Sequence, residues 1–150
     1  MKNKFNNDLE KLIEVSKSTI PSLKELRLFG SYGTPRWKEE TSDIDVMALL
    51  FDENFSYKKD RIYEDYFIYE SPQRKNLREM ISKNLSEEFN EKLSLHIVTL
   101  FDMAKLIGLD EGRGDVGRNM HKGRLLYRNR KMNPCQFLKY YYQKWRVLNG

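Results

Sequence analysis

Residues 28–50 read LFGSYGTPRWKEETSDIDVMALL, a strand, a turn and a second strand in succession. Leu26 to Phe29 alternates enough to form a half-buried strand, and Gly30 stops it. Residues 31–42 are polar, and Gly33 and Pro35 mark a turn that leads into a short helix or loop. Ile44 to Phe51 is then a nearly continuous apolar run of strand length, covered on both faces for most of its length. Asp43 and Asp45 stand two apart at its opening, so both carboxylates share one face while Ile44 and Val46 face the core. Asp is poorly suited to strands, and like charges this close raise each other's pKa. A divalent cation removes that penalty, because hard oxygen donors suit Mg²⁺. Gly30 lets an anion approach the backbone, and the Ser31 hydroxyl with neighbouring N–H groups can hold phosphate oxygens. Paired carboxylates beside a Gly-Ser cradle are the working parts of metal-dependent phosphoryl or nucleotidyl transfer.

Outward from this stretch, Leu9, Leu12 and Ile13 fall at helical spacing, with Asn7 or Asp8 as the cap and Pro21 as the stop. Tyr57 to Tyr69 holds four tyrosines among charges and fits either a helix or a hairpin arm. Ser71-Pro72 opens another helix, with Leu77, Met80, Ile81 and Leu85 on one face. Leu93 to Leu100 alternates and then turns wholly apolar, which predicts a third strand. Phe101 to Leu109 reads as a short helix, and the glycines from Gly108 to Gly117 as a loop. Leu125-Leu126-Tyr127 suits a final strand. Pro134 then opens an amphipathic C-terminal helix with Phe137, Leu138, Tyr141, Trp145 and Leu148 along one side. The fold class expected is α+β, a small mixed β-sheet packed by helices.

At 150 residues the chain suits one domain, large enough to bury a core. The net charge of +5 is unevenly spread: residues 1–112 carry 17 basic and 21 acidic side chains, and residues 113–150 carry 10 and 1. The basic excess is therefore C-terminal and suggests a segment that meets phosphate or an acidic surface. No apolar run approaches the length of a membrane span, and the polar start has no signal-like apolar region, so the expected compartment is cytoplasmic. Cys135 is the single cysteine, which excludes an intramolecular disulfide and a cysteine-based zinc cluster. His121 reads as a surface residue and Cys135 as a small, partly buried hydrophobe.

The stretch 28–50 resembles the nucleotidyltransferase superfamily (DNA polymerase beta-like), in particular its minimal members, whose pattern is a hydrophobic strand, Gly-Ser, a short helix and Asp-x-Asp on the next strand. Gly123-Arg124-Leu125-Leu126-Tyr127 is similar to the ending of many minimal members, which places a motif core at about 24–127. A basic, aromatic extension at 128–150 completes a single domain over 1–150. The resemblance implies that Gly30 and Ser31 meet the phosphates of an incoming NTP, expected to be ATP. It implies that Asp43 and Asp45 hold Mg²⁺, with Mn²⁺ as a substitute. The family has a third carboxylate on a later strand, and here that position is His96, in Leu95-His96-Ile97-Val98-Thr99. His96 is accordingly the third catalytic candidate beside Asp43 and Asp45. Arg36 stands a few residues beyond the family's Arg-Gly position and is a further phosphate candidate.

Two functions follow from the resemblance. One is an enzyme that moves a nucleoside monophosphate to an acceptor hydroxyl on a protein, an RNA or a small molecule. The other is a catalytically impaired binding module acting as the antitoxin or partner of a helical protein, and a homodimer is a further possible assembly. The basic segment is a solvated face, a surface for an acidic partner, or a cradle for a triphosphate or nucleic acid through Arg113, Arg118, Lys122, Arg124 and Arg128.

Overall fold

The computed structural model describes residues 4–50, 72–99 and 122–131. In chain order these form α1 (Asn6–Thr19), β1 (Leu23–Phe29), β2 (Ile44–Leu50), α2 (Pro72–Ser82), α3 (Glu87–Lys92), β3 (Leu93–Thr99) and β4 (Arg124–Arg128). The tyrosine-rich stretch, the helix expected over 101–109, the glycine-rich loop and the C-terminal helix lie outside the described residues, as do Arg113, Arg118, His121 and Cys135.

The described strands make one mixed sheet in the order β3-β2-β1-β4. β1 runs antiparallel to β2 and to β4, while β2 and β3 are parallel. One face of this sheet is apolar through Leu26, Leu28, Ile44, Val46, Ala48, Leu95 and Ile97, and it packs with Leu9 and Leu12 of α1, Ile81 of α2 and Phe89 of α3. Each such large side chain removed from water contributes about 1.5–3 kcal/mol before the entropy of ordering is charged against it. On the other face Met47, Leu49 and Val98 are buried too, so β2 is covered on both sides, as its apolar run predicts.

Local chemistry explains the boundaries. α1 begins two or three residues earlier than the Asn7 or Asp8 cap implies: Phe5 occupies the cap position with no side-chain hydrogen bond. Phe5 is instead held by packing, since it is 2% exposed. Asp8 sits in the first helical turn, where it complements the helix dipole, and accepts a hydrogen bond from Ser86 Oγ at 2.9 Å. Ile20, preceding Pro21, is extended, as the proline requires. β1 starts at Leu23, earlier than Leu26, because a register shift between Leu23 and Glu25 breaks the simple alternation. Helix α3 has no counterpart in the periodicity, being six residues long with Phe89 as its buried anchor. Its start was nonetheless written in the chain: Ser86 caps it by accepting from the Phe89 N–H, and Glu87 and Glu88 fill the first turn.

α2 lies along the outer side of β3. Arg74 is buried and donates through Nη1 to the Ile97 carbonyl at 3.3 Å, and Arg78 Nε donates to the Leu95 carbonyl at 3.1 Å. Two arginines one turn apart thereby occupy carbonyls of β3, the outermost of the described strands on that side. No described helix is long and apolar enough to cross a membrane.

Candidate functional site

The strand directions bring four chain segments to one end of the sheet. β1 ends there at Phe29, and β2, β3 and β4 all begin there. The register pairs Phe29 with Asp45, Asp45 with Ser94, Met47 with His96, and Leu28 with Arg124. Residues far apart in sequence therefore share one rim.

Gly30 is the junction. Its φ is +78°, the left-handed region that favours glycine. A Cβ built on it would lie 2.5 Å from Asp45 Oδ2, so the turn and the carboxylate touch through the space a side chain would fill. The turn continues through Gly33, also at positive φ, and is tied by the Thr34 N–H and Thr34 Oγ1, both donating to the Ser31 carbonyl at 3.0 and 2.6 Å. No helix forms in residues 31–42. Aromatic packing holds the turn down instead: Tyr32 and Trp37 have ring centroids 5.0 Å apart, and Phe5 lies 6.4 and 6.3 Å from them. Trp37 Nε1 donates to the Asp43 carbonyl at 3.0 Å, which fastens the chain immediately before β2.

Asp43 is exposed just ahead of β2, and Asp45 is half-buried in its first turn of pleat. Burial raises the Asp45 carboxyl above its ordinary value; His96 opposes the rise and Asp43 adds to it. His96 Nε2 stands 3.8 Å from Asp45 Oδ1 and 3.1 Å from Ser94 Oγ, with the Phe29 ring centroid 5.3 Å from its own. Burial lowers the imidazole's pKa, Asp45 pulls it back up, and Arg78 lowers it further. The imidazole is therefore neutral near pH 7 and able to accept a proton or a metal.

The oxygen donors suit Mg²⁺ or Mn²⁺ chemically. Asp45 carries a charge that burial and a like neighbour both disfavour, and a cation relieves both. Among the described residues no three His, Cys, Asp or Glu side chains gather as a metal-holding group. Two carboxylates plus substrate phosphate oxygens are nevertheless a common Mg²⁺ shell.

On the β4 side of Gly30 a cavity of about 660 Å³ is lined by Gly30, Thr34 and Arg36 from the turn and by Lys122 and Arg124 from the other wall. Lys122 and Arg124, named above among five basic candidates, thus join Gly30 and Arg36. Arg128 does not: its Nε donates to Glu25 Oε2 at 2.8 Å, an ion pair that joins β4 to β1. Ser31 is half-buried beside the cavity and does not line it. Sequence reading missed Trp37 and Arg27. The polar gap of eleven residues between Gly-Ser and Asp-x-Asp, with a lone Trp in it, was the available signal for the first.

A glycine turn beside paired aspartates, at the starts of two parallel strands and next to a cationic cavity, is equipped to hold a phosphorylated ligand. The chain belongs to the nucleotidyltransferase domain family, whose pattern it matches over residues 9–106. Among solved structures it is similar to a Sulfolobus solfataricus protein provisionally named a nucleotidyltransferase, determined at 1.40 Å. That pair shares 20% identity, covering 79% of this chain and 85% of the other, with a TM-score of 0.38. No curated protein matches the chain significantly.

Proposed function

We propose that this nucleotidyltransferase domain moves a nucleoside monophosphate from an NTP, ATP in the first instance, to an acceptor hydroxyl on a protein, an RNA or a small molecule. The observation that carries this reading is the contact between Gly30 and Asp45, which sets the anion-accepting turn directly against a metal-suited carboxylate. Gly30, Ser31 and Arg36 meet the phosphates. Asp43 and Asp45 would hold Mg²⁺, which when bound supplies positive charge at the reacting phosphoryl oxygens. The acceptor oxygen bonds to the α-phosphorus as the bond to pyrophosphate breaks, and His96 takes the hydroxyl proton on its neutral imidazole. Trp37 orients Asp43 through its carbonyl.

The test is label transfer from α-labelled ATP to protein, RNA and small-molecule fractions of a bacterial lysate. We expect transfer by the native chain and none by the Asp43→Asn, Asp45→Asn double variant; undiminished transfer by that variant overturns the assignment. His96 at the position of the family's third carboxylate favours one second reading, a binding module that partners a helical protein as an antitoxin does. Calorimetric binding of ATP with Mg²⁺, no transfer by the native chain, and transfer gained by His96→Asp together would favour it.

A further inference from the structure

The family match ends at residue 106, yet the wall of the cavity opposite Arg36 is built by residues 122–124. We infer that Lys122 and Arg124, just before and at the start of β4, add a second cationic wall to the phosphate-binding turn and Arg36, and strengthen the hold on a nucleoside triphosphate over a monophosphate. This rests on the nucleotidyltransferase reading and adds to it a subsite outside the matched motif.

Three observations carry it. First, the charge that the described residues bring to the cavity is one-signed. Among them Arg36, Lys122 and Arg124 line it and no acidic residue does. Among the described residues none of the three is in an ion pair with a carboxylate, whereas Arg27 and Arg128 are both paired with Glu25. Cations drawn to one concavity without counter-charges raise the local concentration of polyanions. Second, the wall is rigidly placed. A Cβ on Gly123 would lie 2.6 Å from the Leu28 carbonyl oxygen, so β4 approaches β1 at van der Waals distance there. Arg27 Nη1 donates to the Gly123 carbonyl at 2.8 Å, and Arg27 is itself fixed by Glu25. Lys122 and Arg124 flank this pinned residue, so their backbone positions are set before any ligand arrives, which lowers the ordering cost of binding. Third, the cavity adjoins Gly30, whose other side is against Asp45. A phosphate chain with its α-phosphate near Asp45 could pass Gly30 and extend its remaining phosphates toward this cavity. A monophosphate placed at Asp45 leaves the cavity unfilled.

The experiment is calorimetric titration of the full chain with ATP, AMP and inorganic tripolyphosphate, run beside the label-transfer assay. The native chain is expected to bind ATP and tripolyphosphate and to bind AMP more weakly. Lys122→Ala with Arg124→Ala should weaken ATP and tripolyphosphate about tenfold or more, since two charge-assisted contacts are lost, and leave AMP nearly unchanged. Arg130→Ala with Lys131→Ala removes the same charge outside the cavity and should change neither. Lys122→Arg with Arg124→Lys keeps the charges and should retain most of the affinity, which separates lost contacts from misfolding.

Native-like ATP affinity in the Lys122, Arg124 alanine variant overturns the inference. So does an equal loss in the Arg130, Lys131 control, or binding of an RNA oligonucleotide with no binding of tripolyphosphate. Transfer with an unaltered ATP dependence in the alanine variant sinks the subsite and leaves the enzyme standing. Tripolyphosphate binding as described, with no transfer to any fraction, does the reverse.

Discussion

Gly30 and Gly33 separate two demands that glycine can meet at the residue scale. Both have positive φ, and a Cβ in that region costs about 1–2 kcal/mol. Only Gly30 also has a neighbour in the way: its Cβ would meet Asp45 Oδ2, whereas nothing lies within 4 Å of a Cβ on Gly33. Gly30→Ala and Gly33→Ala should therefore lower stability by similar amounts, about 1 kcal/mol each, in urea unfolding. Gly30→Ala must in addition push the Asp45 carboxylate aside. A displacement of about 1 Å in a reacting group can cost about a hundredfold in rate. We expect label transfer to fall by that order in Gly30→Ala and to survive in Gly33→Ala. Equal activities in the two variants would show that the turn and Asp45 do not act together.

The pairing of β1 with β4 makes the corresponding case at the element scale. Glu25 is 8% exposed and accepts from Arg27 Nε at 2.9 Å and from Arg128 Nε at 2.8 Å. Burial alone would raise its pKa, but the Arg27 and Arg128 guanidiniums outweigh it and hold the carboxyl below its ordinary value. The folded state thus binds this proton less readily than the unfolded chain does. The resulting stabilisation is present in full above the ordinary glutamate value of about 4.3 and fades as pH falls through the lower folded value. Glu25→Gln should cost about 2 kcal/mol near pH 7, because the buried partners lose a charged acceptor. The gap between native and variant in urea melts should close as pH drops below about 4. A gap that persists in acid would mean the carboxylate charge is not what joins the strands.

Across the whole molecule, the packing behind the sheet supports the chemistry at its rim. Phe89, fully buried on α3, sits 5.7 Å from the Phe5 ring, and Phe5 backs both Tyr32 and Trp37. A large truncation at Phe89 therefore removes the floor under the turn that carries Gly30. Phe89→Ala should destabilise the fold by about 3–5 kcal/mol, read from the urea midpoint. The charge imbalance between the two halves of the chain also gains a location at this scale. Of the basic C-terminal residues described, Arg128 is spent on Glu25 while Lys122 and Arg124 face the cavity beside Gly30.

Much of this was legible in the chain. The apolar run from Ile44, the stop at Gly30 and the two-residue spacing of the aspartates specify strands, a turn and a shared face, because these are local periodicities and local steric limits. The Leu93–Thr99 strand and the short β4 were legible for the same reason. Helix α3 was less so, since six residues around one Phe carry no periodic signal. Which residues of the basic segment line a cavity and which make ion pairs was not legible at all. Arg124 and Arg128 are four apart in one short strand, and their different partners are set by where β1 places Leu28 and Glu25 beside them. Local pattern along the chain was enough for α1, α2, the strands, the family resemblance, and the glycine and aspartates of the turn. That Asp45 abuts Gly30, that His96 reaches Asp45, and that Lys122 and Arg124 line the cavity emerges from the folded sheet. Those contacts depend on strand order and register, which arise from long-range pairing and which no local pattern encodes.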